Sequence, residues 1–223
     1  MNNFNNEILN LAIKNNDIEK IESLLKNNNL DINFQDNDGE TALHHAYNNL
    51  EIVKLLLEYK NININLQDNN GNTAFHYAYN NLEVIKLILK NININLQDYE
   101  GNTILMNAYK DNDIEIVKLL LKHKDININL QNIYNNTALH YAYQYGEDRF
   151  YLNNSRKFKI IDVNTQDINR NTSLHPDYQS GENIIDNKII ISIIKLLLNR
   201  NNININLQNN EGNVAAFYAN KII

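Results

Sequence analysis

The chain has 223 residues, 43% of them hydrophobic, and no cysteine, so it can bury a continuous core but cannot form a disulfide framework, a thiolate zinc site or a cysteine nucleophile. Its formal net charge is −6 and its lysines are scattered, which argues against nucleic acid as a partner. The longest apolar run, residues 189–198, is about half the ~20 residues that a membrane span needs.

The N-terminus has no signal-peptide pattern, because no basic residue precedes Lys14 and no apolar core follows. Together with the absence of a membrane-spanning run, this predicts an intracellular, cytoplasmic protein that does not bind membranes.

A threonine opens each of several similar segments, at Thr41, Thr73, Thr103, Thr137 and Thr172, and Val214 takes its place in a last, partial copy. The successive spacings are 32, 30, 34, 35 and 42 residues. Periods of roughly 20–50 residues indicate stacked supersecondary units. We therefore predict one domain over residues 1–223, made of seven repeats: residues 1–36 (an N-terminal cap), 37–68, 69–98, 99–132, 133–167 (degenerate), 168–209 (with an insertion) and 210–223 (partial).

The repeat that begins at Thr41 shows the predicted elements in chain order. Residues 41–47 indicate a short helix that the threonine can cap, Asn48 and Asn49 break it, and residues 50–59 indicate a second helix. Residues 61–66, with sequence NININL, alternate polar and apolar residues, which predicts extended backbone. Gly71 then supplies a positive φ in the turn. The fold class is therefore an all-α repeat solenoid of stacked helix-turn-helix units joined by short β-hairpin-like loops.

Three sets of residues resemble the ankyrin repeat over almost the entire chain. They are the TALH tetrads at residues 41–44 and 137–140 with near copies at 73–76 and 172–175, the second-helix strings at 50–57, 82–89 and 114–121, and the Ile-Asn or Val-Asn pairs that end each repeat. Two departures stand out. The family usually has proline after the threonine, and the repeats from Thr41 and Thr73 lack two residues between their helices, where we expect slightly tighter loops.

The pattern fails in two places near the C-terminal end. Residues 144–159 have few concentrated apolar side chains, which predicts a frayed or short helix. Pro176 falls inside the expected first helix of the next repeat, where it removes a hydrogen bond, and we predict a loop for the insertion at residues 178–187. The final copy contains the first helix only.

Histidines recur at one register, at His44, His76, His140 and His175. Successive repeats should lie ~8–10 Å apart, whereas zinc holds nitrogen at ~2.0–2.1 Å, so we expect each histidine to bond the threonine and turn of its own or the next repeat. His45 is predicted to be a solvated surface residue. None of the nucleotide-binding, metalloprotease or nucleophile-elbow motifs is present. We therefore predict no enzyme activity, no cofactor and no metal site.

Tyrosines recur in two rows. The row that contains Tyr47, Tyr79, Tyr109 and Tyr143 replaces a position that is normally small and buried, and we predict that it fills the core. The row that contains Tyr77, Tyr141 and Tyr218 allows either core packing or contact with a partner.

By resemblance, ankyrin proteins bind through hairpin tips and the concave side of the first helices. The resemblance therefore implies a non-catalytic module that binds a folded protein, and Ile133 with Tyr134 form the most apolar tip. The candidate partner-binding residues are Asp38, Asn70, Tyr77, Tyr99, Glu100, Ile133, Tyr134 and Tyr141. We expect a monomer.

Two other hypotheses stay open. An oligomerising spacer would use apolar residues of the last copy, Phe217, Tyr218, Ile222 and Ile223. An enzyme or small-molecule binder would use the insertion near Pro176 as a lid.

Overall fold

The computed structural model describes residues 4–27, 30–78, 81–145, 162–173, 175 and 204–214. These residues contain nine α-helices and no β-strand, which confirms the predicted helical repeat fold. The chain divides into two compact units, Met1–Tyr99 and Glu100–Ile223. The predictions for residues 146–159 and 178–187 and for the helix of the final copy lie outside the described residues, and the single-domain assignment stays a prediction.

The first compact unit consists of two layers of helices. Its helices are α1 (Phe4–Lys14), α2 (Ile18–Leu25), α3 (Ala42–His45), α4 (Leu50–Leu57), α5 (Ala74–Tyr77) and α6 (Leu82–Ile88). The first helices α1, α3 and α5 contact one another in that order, and the second helices α2, α4 and α6 do the same. Ile52, Leu56 and Ile85 are fully buried, because each second helix is covered by helices on more than one side.

The second compact unit contains α7 (Ile104–Lys110), α8 (Ile114–Lys122) and α9 (Ala138–Tyr145). Helix α7 contacts both α8 and α9. Leu105, Met106, Ile116 and Leu120 are buried in this unit, which places its core between α7 and α8.

Polar side chains fix where the helices begin. Thr41 has extended backbone and its side chain accepts from the N–H of His44, at 3.4 Å, which confirms the predicted cap. Asn49 begins α4 in the same way, since its side-chain oxygen accepts from the N–H groups of Glu51 and Ile52, at 3.0 and 3.1 Å. These side chains satisfy N–H groups that have no partner inside the helix.

The two shortened repeats have shorter first helices, so the expectation of tighter loops was wrong. Helices α3 and α5 have four residues each, whereas α7 has seven. The connection after α3 takes up residues 46–49, while that after α7 takes up only residues 111–113. In the longer repeat Asn112 ends the helix with a φ of 56°. The two missing residues therefore remove the last turn of the helix.

The prediction of continuously extended backbone for the alternating segment, residues 61–66, was also wrong. Asn61 has a φ of 70°, and Ile64 and Asn65 lie in a turn. The Asn63 side-chain oxygen accepts from the N–H of Asn65, at 3.0 Å, so the polar residue makes a local turn that competes with extended structure. The turn glycine behaves as predicted, because Gly71 has a φ of 77°.

Candidate functional site

Each hairpin tip is built on one polar residue of the turn. Asp68 is that residue in the turn before Thr73, and one of its carboxylate oxygens accepts from the N–H groups of Asn70 and Asn72, both at 2.8 Å. Its own N–H donates to the Asn72 carbonyl at 2.8 Å. Asn132 forms the same pattern, accepting from Tyr134 and Asn136 at 3.0 and 2.9 Å. The side chains at the tip itself take no part in these bonds.

Backbone hydrogen bonds bring neighbouring tips together within each compact unit. In the first unit the N–H of Asn69 donates to the Asp38 carbonyl at 3.0 Å, and that of Tyr99 donates to the Asn70 carbonyl at 2.9 Å.

In the second unit the N–H of Ile133 donates to the Glu100 carbonyl, and that of Ile168 donates to the Tyr134 carbonyl, both at 2.9 Å. Asp38, Asn70 and Tyr99 therefore follow one another along the first unit, and Glu100, Ile133 and Tyr134 along the second.

The tips expose large apolar side chains. Tyr99 is 71% exposed, Ile133 58% and Tyr134 46%, and Asp38, Asn70 and Glu100 are also exposed. Ile168 is 58% exposed as well and was not among the predicted site residues. A signal for it was present in the sequence, because Ile168 follows its turn residue just as Ile133 follows Asn132.

The candidates Tyr77 and Tyr141 lie behind the tips and are half-buried. The hydroxyl of Tyr77 donates to Asp68 at 2.6 Å, and burial together with the Asp68 carboxylate raises the pKa of Tyr77. The hydroxyl of Tyr141 donates to the Asn102 side chain at 3.2 Å and accepts from that of Asn132 at 3.0 Å. Both phenols therefore hold turn residues in place.

The other tyrosine row is described at two positions. Tyr109 is 5% exposed, which confirms the prediction of core filling there. Tyr47 is half-buried and its ring lies 5.8 Å from that of Tyr77. Tyr79 and the side chain of Tyr143 lie outside the described residues.

The repeated histidine joins neighbouring repeats at His44, His140 and His175, as predicted. The N–H of Thr41 donates to Nδ1 of His44 at 3.1 Å, so Nδ1 is the acceptor, and Nε2 carries the proton that is donated to the Asn72 carbonyl at 3.0 Å. His140 and His175 reach the carbonyls of Asn171 and Asn213 in the same way, both at 3.2 Å. Burial lowers the pKa of His44, His140 and His175, which favours the neutral ring.

His45 is not solvated, and the prediction for it was wrong. Its side chain is 6% exposed, with Nε2 2.9 Å from an Asp36 carboxylate oxygen and Nδ1 3.3 Å from one of Glu40. Burial alone would raise the pKa of Asp36, but hydrogen bonds from His45 and from nearby backbone N–H groups lower it. Asp36, Glu40 and His45 each have one atom that could be a metal ligand within 4.8 Å of the corresponding atoms of the other two. The carboxylates meet opposite ring nitrogens, however, so this arrangement suits a hydrogen-bonded imidazole better than a shared ion.

The stacked helices and the repeated hydrogen bonds between neighbouring turns define a helical repeat protein. No helix in the described part of the chain has both the length and the apolar character to cross a membrane. The family model for ankyrin repeats, in three copies, matches residues 9–98 and 79–167. The chain belongs to the ankyrin repeat family. Ankyrin repeats are generally protein–protein interaction modules and are typically non-catalytic. No curated protein matches the chain.

Proposed function

We propose that this chain is a non-catalytic module that binds a folded protein through its hairpin tips, with the first helices α5, α7 and α9 beside them. The observation that carries the proposal is the exposure of Tyr99, Ile133 and Tyr134 at successive tips. Tyrosine is enriched at interface hot spots because it offers large amphipathic area at small entropic cost. The acidic and amide candidates Asp38, Asn70 and Glu100, with Tyr77 and Tyr141 behind them, would form the polar rim.

The tips can serve recognition because the stack does not need their side chains. Their backbone groups are bonded to neighbouring tips, as in the pair Ile133 and Glu100, and these bonds are the same for any side chain. Ile133 and Tyr134 leave 58% and 46% of their surface in water, although burying this apolar area would be favourable. Contact with a partner would supply that burial.

The test compares two pairs of exposed apolar residues. Ile133→Ala/Tyr134→Ala removes the most apolar tip, and Phe4→Ala/Leu11→Ala removes two side chains of α1 that are 61% and 58% exposed. Both variants and the wild-type chain are used to capture proteins from the source cell, and binding of each captured protein is then measured with purified components.

A partner that binds the wild-type chain and the α1 variant equally, but the tip variant at least about tenfold more weakly, supports the proposal; hot-spot truncations of this size are common. Unchanged binding by the tip variant would contradict it.

The monomer assignment is part of the proposal. Sedimentation velocity at increasing concentration should give one species of about the chain's 26.0 kDa mass. A reversible dimer that disappears when residues 211–223 are removed would favour the oligomerising spacer instead, although its proposed apolar residues lie outside the described part of the structure.

A further inference from the structure

At several hairpins a second polar atom of the turn residue faces a side chain nine positions further along the chain. Such pairs are Asp36 with His45 at 2.9 Å, Asp68 with Tyr77 at 2.6 Å and Asn132 with Tyr141 at 3.0 Å. In each pair the partner lies on the first helix that follows the turn, and it satisfies the turn residue across the repeat boundary. Asp68 and Asn132 are accordingly buried, with exposures of 3% and 4%.

The repeat built on Asp167 breaks this pairing. The residue nine positions after Asp167 is Pro176, whose side chain has no hydrogen-bond donor. One carboxylate oxygen of Asp167 accepts from the N–H groups of Asn169 and Asn171, at 2.9 and 2.7 Å, as in the other turns. Among the described residues the other oxygen accepts only from the Asn171 side chain, at 3.3 Å. Asp167 is half-buried, whereas Asp68 is 3% exposed, so part of the Asp167 side chain remains accessible.

An open cavity of about 220 Å³ lies at this carboxylate, within the second compact unit. Asp167, Ser173 and the exposed side chains of Tyr134 and Ile168 line it. Ser173 is 3% exposed, and its hydroxyl is buried with no hydrogen-bond partner in the described part of the chain. The cavity therefore offers a hydrogen-bond donor the Asp167 carboxylate, whereas the Ser173 hydroxyl is buried and is not exposed to it.

The histidines that line the cavity do not offset the charge of Asp167. His140 and His175 each use both ring nitrogens, one toward the opening threonine and one toward a backbone carbonyl. Burial lowers the pKa of both rings, so they are neutral at neutral pH. The cavity consequently has a negative charge on one side and an aromatic ring and an aliphatic side chain at exposed positions.

The geometry points to this cavity as the binding site for an arginine side chain of the protein partner, an inference that rests on the proposed function. The guanidinium would donate to the open oxygen of Asp167 and lie against the ring of Tyr134, while its methylene stem would pack on Ile168. A guanidinium suits this site better than an ammonium because it is planar, stacks on aromatic rings and has five donors. A metal ion would find one carboxylate and no unused imidazole nitrogen.

The test uses the full chain, labelled with ¹⁵N, and N-acetyl-L-arginine N-methylamide as the probe. The amide signals of residues 168–173 should shift and saturate as the probe is added. The citrulline analogue has the same shape without the charge, and it should bind at least about tenfold more weakly, because a hydrogen bond between charged groups is stronger than one between neutral groups. The lysine analogue should also bind more weakly.

The matched variants are Asp167→Asn and Asp68→Asn. Asn132 and Asn209 occupy this turn position naturally, and Asn209 accepts from the N–H groups of Glu211 and Asn213, both at 3.0 Å, so the turn tolerates asparagine. Asp167→Asn should lose at least about tenfold in affinity for the arginine probe. In Asp68→Asn the changed carboxylate is one that already accepts a hydrogen bond from the Tyr77 hydroxyl. This variant should therefore bind the probe as the wild-type chain does.

Three results would overturn the assignment. They are equal binding of the citrulline or the lysine analogue, unchanged binding by Asp167→Asn, and an equal loss in Asp68→Asn. Because the probe requires no partner protein, the two proposals can fail separately. If the probe fails while the Ile133→Ala/Tyr134→Ala variant still loses its partner, only the arginine site is refuted.

Discussion

Replacement of His44 tests the bridge between neighbouring repeats. The ring is 3% exposed and has hydrogen bonds on both sides. Nδ1 lies 3.1 Å from the N–H and 2.7 Å from the hydroxyl of Thr41, and Nε2 donates to the Asn72 carbonyl at 3.0 Å. The first group of contacts holds the start of α3, and the second crosses to the turn of the next repeat.

The chain itself suggests the informative substitution. Met106 occupies the same position in the repeat from Thr103 and is 1% exposed, so His44→Met should fill the site without its hydrogen bonds. The Asn72 carbonyl would keep the N–H of Asp68, at 2.8 Å. About two net hydrogen bonds would be lost, each contributing about 1 kcal/mol, so we expect the free energy of unfolding to fall by about 2 kcal/mol. His44→Ala also leaves a cavity, and we expect a loss of about 4 kcal/mol.

Urea unfolding of the full chain, followed by circular dichroism, measures both losses. Since neighbouring repeats are coupled through their interfaces, the variants should also show a lower m-value if the bridge carries cooperativity between repeats. A wild-type midpoint for His44→Met would refute the stabilising role of the hydrogen bonds. Equal midpoints for His44→Met and His44→Ala would refute the packing contribution.

Two further predictions concern pH and the turn glycines. Burial lowers the pKa of His44 and His140 in the folded chain. The unfolded chain therefore binds more protons once the pH falls below the ordinary histidine pKa of about 6.5. The stability that is present above that pH is lost as the pH falls toward the lower pKa of the folded chain. The urea midpoint should be lower at about pH 5.5 than at about pH 7.5, and His44→Met should reduce this difference; an unchanged difference would contradict the assignment of the neutral ring. Gly71→Ala would place a Cβ 2.7 Å from the backbone nitrogen of Tyr99 at a φ of +77°. Gly212 has a φ of +80°, and no atom of the described residues lies within 4 Å of such a Cβ. We expect Gly71→Ala to lower the free energy of unfolding by about 2–5 kcal/mol and Gly212→Ala to lower it by about 1–2 kcal/mol. Equal urea midpoints for the two variants would show that the close approach to Tyr99 does not affect stability.

The helix positions and the histidine bridge could be predicted because they depend on recurrence. The threonine and the histidine stand three residues apart in the copies from Thr41, Thr73, Thr137 and Thr172, a spacing that brings a cap and the first turn of a helix together. His44 then needed only a neighbouring turn, which the short period supplies. Ile168 was also predictable, since its place in the turn matches that of Ile133.

The errors have a common physical origin. A two-residue deletion can be absorbed by a loop or by the end of a helix, and the sequence around Asn48 does not distinguish the two outcomes. The alternation in residues 61–66 suits a strand, but asparagine side chains can satisfy the backbone locally and allow a turn. The position of His45 depends on Asp36 across the hairpin, and such a contact becomes visible only when the turn and the helix are placed together.

The pairing between the turn residue and the ninth residue after it links stability to recognition. Where the ninth residue is His45 or Tyr77, the turn carboxylate is satisfied by the helix that follows it and has little to offer a partner. Where it is Pro176, the same carboxylate keeps its structural bonds to the backbone, and among the described residues its second oxygen accepts only from the Asn171 side chain, beside exposed apolar side chains. The loss of an internal donor therefore converts a structural aspartate, Asp167, into a binding group without altering the turn that holds it. Specificity in this chain should be sought first at the repeat where that donor is missing.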